Sequence, residues 1–338
     1  MKKIVLKVLA VCFLCGIFFM TGRENIKANE AETIRSGDYE YQILNFENKY
    51  AALRKVYNYG PEVTIPDTID GYNIIQIGAS REPIGYIGDN MIGIDFTKAA
   101  IFSEKDNIVK KLVIPEGVTV IKQFAFYEMN SLEELSLPKT LRNIWPHNFK
   151  NSTLLKKIEF PAGIRVGERC FENVVFDEMI LKGNFSGYDD DSFGCMKGKA
   201  EKVTINADNT VVDFGDTPIN KFVIGKKVKN IELGSCSCEN IVLNNPKTKL
   251  KFFSADESVV NKISAVITKN IKCKKNSAGY VYSWKPVKIK GKKSTVRYTL
   301  SYKNSSGMFR KFKVQKKTSV KLSKRRKLRI EVEVQFDG

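Results

Sequence analysis

The chain offers few residues with which to do covalent chemistry. Its single histidine is His147, so any nucleophilic scheme that needs an imidazole, whether Ser-His-Asp or Cys-His, must run through that one residue. His147 follows Pro146 at a turn, where a surface position is expected, and zinc-hydrolase spacing is absent. Asp189-Asp190-Asp191 could contribute to a calcium site, but no spaced ligand set follows and a solvated loop is the competing reading. Cys236-Ser237-Cys238 could close a strained disulfide or grip a metal. Lacking His or further Cys partners, the pair reads better as small buried thiols. Glycosidase carboxylates can lie far apart along a chain, and nothing marks them here. Leu137-Pro138-Lys139-Thr140 begins like a sortase sorting motif, but Leu141 stands where glycine is required and no apolar tail follows. No catalytic residue, metal ligand or cofactor is therefore assigned, and a non-enzymatic role is expected.

The remaining chemistry is charge. The net charge is +19, and its distribution is uneven. Residues 1–28 carry +4 and residues 29–259 carry −5, whereas residues 260–338 hold 23 basic residues against three acidic ones, a net +20. The densest run is Lys324-Arg325-Arg326-Lys327. It is the candidate binding patch for a polyanion such as an anionic cell-wall polymer or a glycosaminoglycan. The competing reading is a solvated turn in a lysine-rich surface that keeps a β-domain soluble and its edges unpaired. Nucleic acid is disfavoured, because aromatic interleaving is weak and the N-terminus reads as an export signal.

That signal occupies residues 1–28. Lys2 and Lys3 open it, Val8 to Met20 is an apolar run of 13 residues, and cleavage is expected after Ala28. The run is shorter than the roughly 20 residues of a typical membrane helix. Cys12 and Cys15 do not follow a small residue as a lipoprotein site requires. No later segment is apolar enough to span a membrane. Cys170, Cys195, Cys236, Cys238 and Cys273 remain, odd in number and scattered, which is not a disulfide framework. A secreted, cell-surface-associated protein is expected.

What positions these groups is a repeat. Lys111–Pro115, Glu134–Pro138 and Lys157–Pro161 align with their prolines 23 residues apart, each a short alternating run that stops at Pro. Phe126, Phe149, Phe171 and Phe193 recur at spacings of 23, 22 and 22. Val63–Pro66 reads as an earlier rung, with an insertion near Ile84–Ser103. Met179–Leu181, Val203–Ile205, Phe222–Ile224 and Ile241–Leu243 read as later ones. One strand per unit at this period implies a solenoid with a parallel strand ladder and the phenylalanines stacked inside.

Val118-Thr119-Val120-Ile121-Lys122-Gln123-Phe124-Ala125-Phe126, following Ile114-Pro115 and preceding Leu132-Glu133-Glu134-Leu135, resembles the BspA-like type of leucine-rich repeat. Tyr57–Gly60, Ile65–Asp67 and Asp70–Tyr72 resemble that family's opening unit. Lys122 and Trp145 stand where the family tends to have glycine. The resemblance, which covers roughly residues 39–250, implies a secreted or surface-displayed bacterial protein engaged in adhesion or host contact.

After Phe253 the repeat fades. Runs at Ile263–Cys273, Tyr280–Trp284, Thr295–Tyr302, Phe309–Val314, Thr318–Leu322 and Leu328–Phe336 read as strands of a small β-sandwich. Trp284, Tyr298, Tyr302 and Thr318–Leu322 give it a resemblance to a fibronectin type III domain. The expected organisation is a mainly β chain. It comprises a signal peptide at 1–28, an opening unit with a first repeat and insertion at 29–107, a solenoid at 108–253, a linker at 254–262 and a basic β-domain at 263–338. A protein or glycan ligand is expected on the solenoid. The alternatives are a structural spacer in a surface assembly and, on weaker grounds, a secreted glycan-active enzyme.

Overall fold

Alternation of apolar and polar residues over three to five positions, ended by proline or glycine, favours short strands whose apolar side must be buried by a neighbour. The computed structural model describes residues 33–78, 99–102, 108–187, 197–215, 217–234, 237–252, 259–267, 271–286, 289–290 and 294–336, and these are strands and turns, apart from a helical position at Ala99. The signal segment, Phe193, Asp189–Asp191, Cys195, Cys236 and most of the insertion near Ile84–Ser103 lie outside the described residues.

The proline-terminated runs form a ladder. Glu62–Thr64, Lys111–Val113 and Glu134–Ser136 pair in parallel, as do Lys157–Phe160, Glu178–Leu181, Val203–Ile205, Pro218–Ile224, Ser237–Leu243 and Val259–Ile267 in turn. Val63 pairs directly with Leu112, so the 49 residues separating Pro66 from Pro115 make one long rung that carries the insertion. Inward positions repeat down the ladder: Ile158, Met179, Val203, Phe222, Ile241 and Ile263 stand side by side, each at most 1% exposed.

Each rung also contributes a second strand, one more than the repeat pattern implies. Tyr72–Ile77, Val120–Ile121, Asn143–Ile144, Ile164–Val166, Phe185–Gly187, Thr210–Val212, Asn230–Leu233, Lys249–Phe252 and Ile289–Lys290 form another parallel ladder. The two ladders enclose a phenylalanine column. Phe126 and Phe149 stack at 5.1 Å, Phe149 and Phe171 at 5.5 Å, and Phe185 and Phe214 at 4.6 Å, with Phe160 bridging Phe171 to Phe185.

The corners between strands turn through left-handed backbone at matching positions of successive rungs. Phe124, His147 and Arg169 have φ of 60°, 60° and 55°, and Glu128, Asn151 and Asn173 have φ of 52°, 62° and 67°. Asparagine tolerates this region better than most residues. Here it also links rungs: the Asn173 side-chain amide donates to the Asn151 carbonyl oxygen at 2.7 Å, and Asn151 donates to Glu128 at 3.4 Å.

A solenoid needs its end rungs covered, and antiparallel strands do this at both ends. Ile34–Ser36, Tyr39–Asn45 and Tyr50–Val56 run antiparallel to one another, and the last pairs in parallel with Tyr72–Ile77. At the other end Leu328–Phe336 pairs antiparallel with Val259–Ile267, followed by Ser294–Lys303 and then Phe309–Gln315. Ile263, Val334 and Val296 continue the inward column across this change of direction. Val259–Lys262, inside the stretch expected as a linker, are thus part of a strand. Lys272–Asn276, Gly279–Ser283 and Ser319–Leu322 make a separate antiparallel sheet. Trp284 and Tyr298, both buried, meet edge to face at 5.4 Å. These sheets form a small β-domain built onto the last rung.

Candidate functional site

Lys324, Arg325, Arg326 and Lys327 occupy the connection between Ser319–Leu322 and Leu328–Phe336, and all four are exposed. Their backbone is held at several points. The Tyr282 hydroxyl accepts the Arg326 N–H at 2.6 Å and donates to the Arg326 carbonyl at 2.8 Å. The Lys327 carbonyl accepts the Lys303 N–H at 3.0 Å. The Arg326 guanidinium lies 4.8 Å from the centre of the Tyr302 ring, which packs on Phe312 at 5.6 Å. Burial, and then the neighbouring Cys273, push the Tyr282 phenol above its ordinary range, against the lowering effect of the Arg326 backbone. The phenol therefore stays a neutral donor and acceptor across physiological pH, and the clamp does not titrate.

More cations share this end of the molecule. Lys274, Val281 and Lys321 are in register across the three-stranded sheet, on the face opposite the buried Tyr282 and Val320. Glu331 and Glu333 sit on the other sheet, where Glu331 bridges Arg329 at 3.0 Å. Among the described residues, none of Lys324, Arg325, Arg326 and Lys327 is in an ion pair. The arrangement can attract and hold a multiply charged anion, and its fixed backbone lowers the ordering cost of doing so.

The first ladder's outer face is different. Lys111 bridges Glu134 at 3.3 Å, Lys182 bridges Glu159 at 3.0 Å, and Glu178 is shared by Lys157 at 3.4 Å and Lys202 at 2.9 Å. Lys202 first, then the Thr204 hydroxyl and Lys157, hold the Glu178 carboxyl below its ordinary range in spite of some burial. These charges satisfy each other from rung to rung. The second ladder's outer column, Val120, Asn143, Arg165 and Ser186, carries one charge. At its edge Lys122 Nζ lies 3.5 Å from the centre of the Trp145 ring. A groove of about 450 Å³ near the N-terminal cap is lined by Tyr50, Asp67, Asn73, Glu116 and Thr119 among others. Glu116 is already occupied there, accepting the Lys139 and Thr140 N–H groups at 3.1 and 3.3 Å.

His147 is not at the surface. It is 2% exposed and stacks on Phe124 at 4.9 Å, because the repeat places it one rung below that phenylalanine, where the side chain points inward. Burial, then Arg169 and Lys150, lower its pKa to about 4, so it is neutral at physiological pH. Cys170 and Cys238 are buried free thiols, and burial pushes Cys238 up to about 11. Cys273 is an exposed free thiol. No group of three or more His, Cys, Asp or Glu that could hold a metal occurs among the described residues. No helix among them is long and apolar enough to cross a membrane.

Asn148 escaped the sequence reading. It is fully buried, accepts the Phe126 N–H at 2.9 Å, and donates to the carbonyls of Lys122 at 3.0 Å and Trp145 at 2.7 Å. The signal available was its alignment with Ala125 and Cys170, each directly before a column phenylalanine. Cys170 Sγ lies 3.0 Å from the Trp145 carbonyl, so this position repeatedly ties adjoining rungs.

No curated protein matches the chain. Among solved structures it is similar to a leucine-rich repeat protein from Bacteroides capillosus, at 23% identity over 39% of this chain and 84% of that one, with a TM-score of 0.30. It is also similar to the T. pallidum leucine-rich repeat protein, at 15% identity over 62% and 86%, with a TM-score of 0.38. A Bacteroides ovatus leucine-rich repeat protein matches at 17% identity over 68% and 70%, with a TM-score of 0.33. Residues 97–217 match the family described as BspA type leucine rich repeat region, in six copies.

Proposed function

We propose that this chain is a non-catalytic, cell-surface-associated binding protein whose basic C-terminal β-domain holds an anionic wall polymer while the solenoid presents a surface to a protein or glycan ligand. The observation that carries the reading is the clamped, exposed run Lys324–Lys327, which is in no ion pair among the described residues, whereas solenoid lysines such as Lys111, Lys182 and Lys202 are bridged to glutamates on the neighbouring rung. The N-terminal export pattern supports the location, and the repeat family supports binding over catalysis.

Cutting off the basic domain is a poor test, because its strands continue the solenoid's sheet and its removal would uncover the last rung. The test is charge removal in the full chain: Lys324→Ala, Arg325→Ala, Arg326→Ala and Lys327→Ala together. Wild-type protein is expected to co-sediment with teichoic-acid-bearing walls and to be released as salt rises from about 0.05 to 0.5 M, where screening shortens to a few ångström. The quadruple variant is expected to stay in solution throughout. Equal retention of the two proteins would show that the run does not hold the wall.

A further inference from the structure

We propose that the edge strand Phe309–Gln315 accepts an extended acidic segment of a partner protein as an added strand. This strand is the last of its sheet among the described residues, paired on one side only, with Ser294–Lys303. A strand so placed presents alternate backbone N–H and C=O groups to solvent, ready to pair with another extended chain. Its seven residues are exposed or half-exposed, and none is proline.

The side chains select the partner. The strand carries Arg310, Lys311 and Lys313 and no acidic residue, and Lys316 and Lys317 follow it. The register puts Arg310 and Lys313 beside Tyr302 and Leu300 on one face, and Lys311 beside Ser301 on the other. An incoming strand therefore meets cations on both faces. A second copy of this strand would set cation against cation, which disfavours self-pairing. Cations alone would also describe an edge closed to neutral strands. This edge, however, leaves Met308 64%, Phe309 37% and Val314 48% exposed. Apolar side chains on the rim of an edge closed to every strand serve nothing, whereas beside lysines they give an acidic, partly apolar strand a surface to bury. The fitting segment carries glutamate or aspartate on both faces, with apolar residues set to meet Phe309 and Val314.

The probe is a synthetic peptide of Glu, Val and Thr, roughly nine residues long to span the strand, with a Lys-for-Glu counterpart and a version N-methylated at alternate amides. Binding to the full chain is read by fluorescence anisotropy, and the contact by amide hydrogen exchange. The expected result is binding of the acidic peptide only, slowed exchange within Phe309–Gln315, and at least tenfold weaker binding after N-methylation. The double variant Lys311→Glu with Lys313→Glu changes exposed side chains and is expected to lose the acidic peptide and accept the lysine one. Undiminished binding of the N-methylated peptide would reduce the interaction to charge and overturn strand addition. So would protection confined to the 324–327 run, or failure of the acidic peptide to bind. Self-association through this strand would overturn the acidic partner. None of these results depends on whether Lys324–Lys327 hold a wall polymer.

Discussion

Replacing Asn148 with alanine is expected to destabilise the protein by about 2–5 kcal/mol, one of the larger single effects in the solenoid. The magnitude follows from what the side chain satisfies. The Phe126 N–H loses its partner in a buried site, and the carbonyls of Lys122 and Trp145 each lose one bond while keeping the Ala125 N–H at 3.2 Å and the Cys170 thiol at 3.0 Å. The orphaned N–H costs about 1–3 kcal/mol, and each bond lost by a carbonyl that keeps another partner about 0.5–1.5 kcal/mol. Aspartate sharpens the test. Its carboxylate can still accept from Phe126 but would face the two carbonyls with no proton to offer, so the folded state favours the protonated acid and raises its pKa above the ordinary value of about 3.9. A raised folded pKa contributes stability that is present below the unfolded pKa and lost as pH rises through the folded one. The Asn148→Asp penalty should therefore be mild near pH 4 and grow toward neutrality, whereas the alanine penalty should be nearly level with pH. Urea unfolding followed by far-ultraviolet circular dichroism and by the fluorescence of Trp145 and Trp284 reads both. An alanine cost below about 0.5 kcal/mol, or an aspartate variant indifferent to pH, would refute the claim that this amide ties rung to rung.

Phe149→Ala opens a cavity between Phe126 and Phe171 and is expected to cost about 3–5 kcal/mol, while Leu154→Ala, at an exposed position, should cost almost nothing; the two unfolding midpoints decide it. His147 has its pKa lowered from 6.5 to about 4, so its contribution is present above the unfolded pKa and is lost as pH falls from about 6.5 toward 4. His147→Phe reproduces the Phe124 side chain one rung below it, at the same backbone conformation. It should flatten the stability profile in that window without lowering stability at pH 7, as a pH series of thermal melts would show.

Much of the architecture can be read from spacing alone. Pro115, Pro138 and Pro161 mark the ends of the first ladder's strands, and Phe126, Phe149 and Phe171 do stack where their period places them. The second ladder was hidden because several of its strands are two residues long, as at Val120–Ile121 and Asn143–Ile144, below the length at which alternation is visible. Val259–Lys262 looked like a linker because the polar residues of a terminal strand resemble those of a loop. His147 was placed at the surface because it follows a proline. Its alignment with Phe124, which argued for the interior, is weaker in sequence because the two residues share no chemistry until one ring stacks on the other. The basic run was legible as composition, whereas its clamp by Tyr282, 44 residues away, was not.

The placement of charge separates the two halves of the molecule by mechanism. In the parallel ladders, neighbouring strands stand about 4.8 Å apart, so a lysine at an outward position reaches a glutamate one rung away, as Lys111 reaches Glu134 and Lys182 reaches Glu159. The net charge of the solenoid region is accordingly small. In the basic domain the same spacing sets Lys274 in line with Lys321 across Val281, and the acids that follow Lys321 in sequence, Glu331 and Glu333, belong to the other sheet. Such a surface carries a standing repulsion that a counter-charged polymer relieves and salt only screens. If lysines served solubility alone, the mixed pattern of the solenoid would do as well without that cost. The concentration of cations that are in no ion pair among the described residues, on a loop whose backbone is fixed before any ligand arrives, is what the proposed holding site for an anion requires.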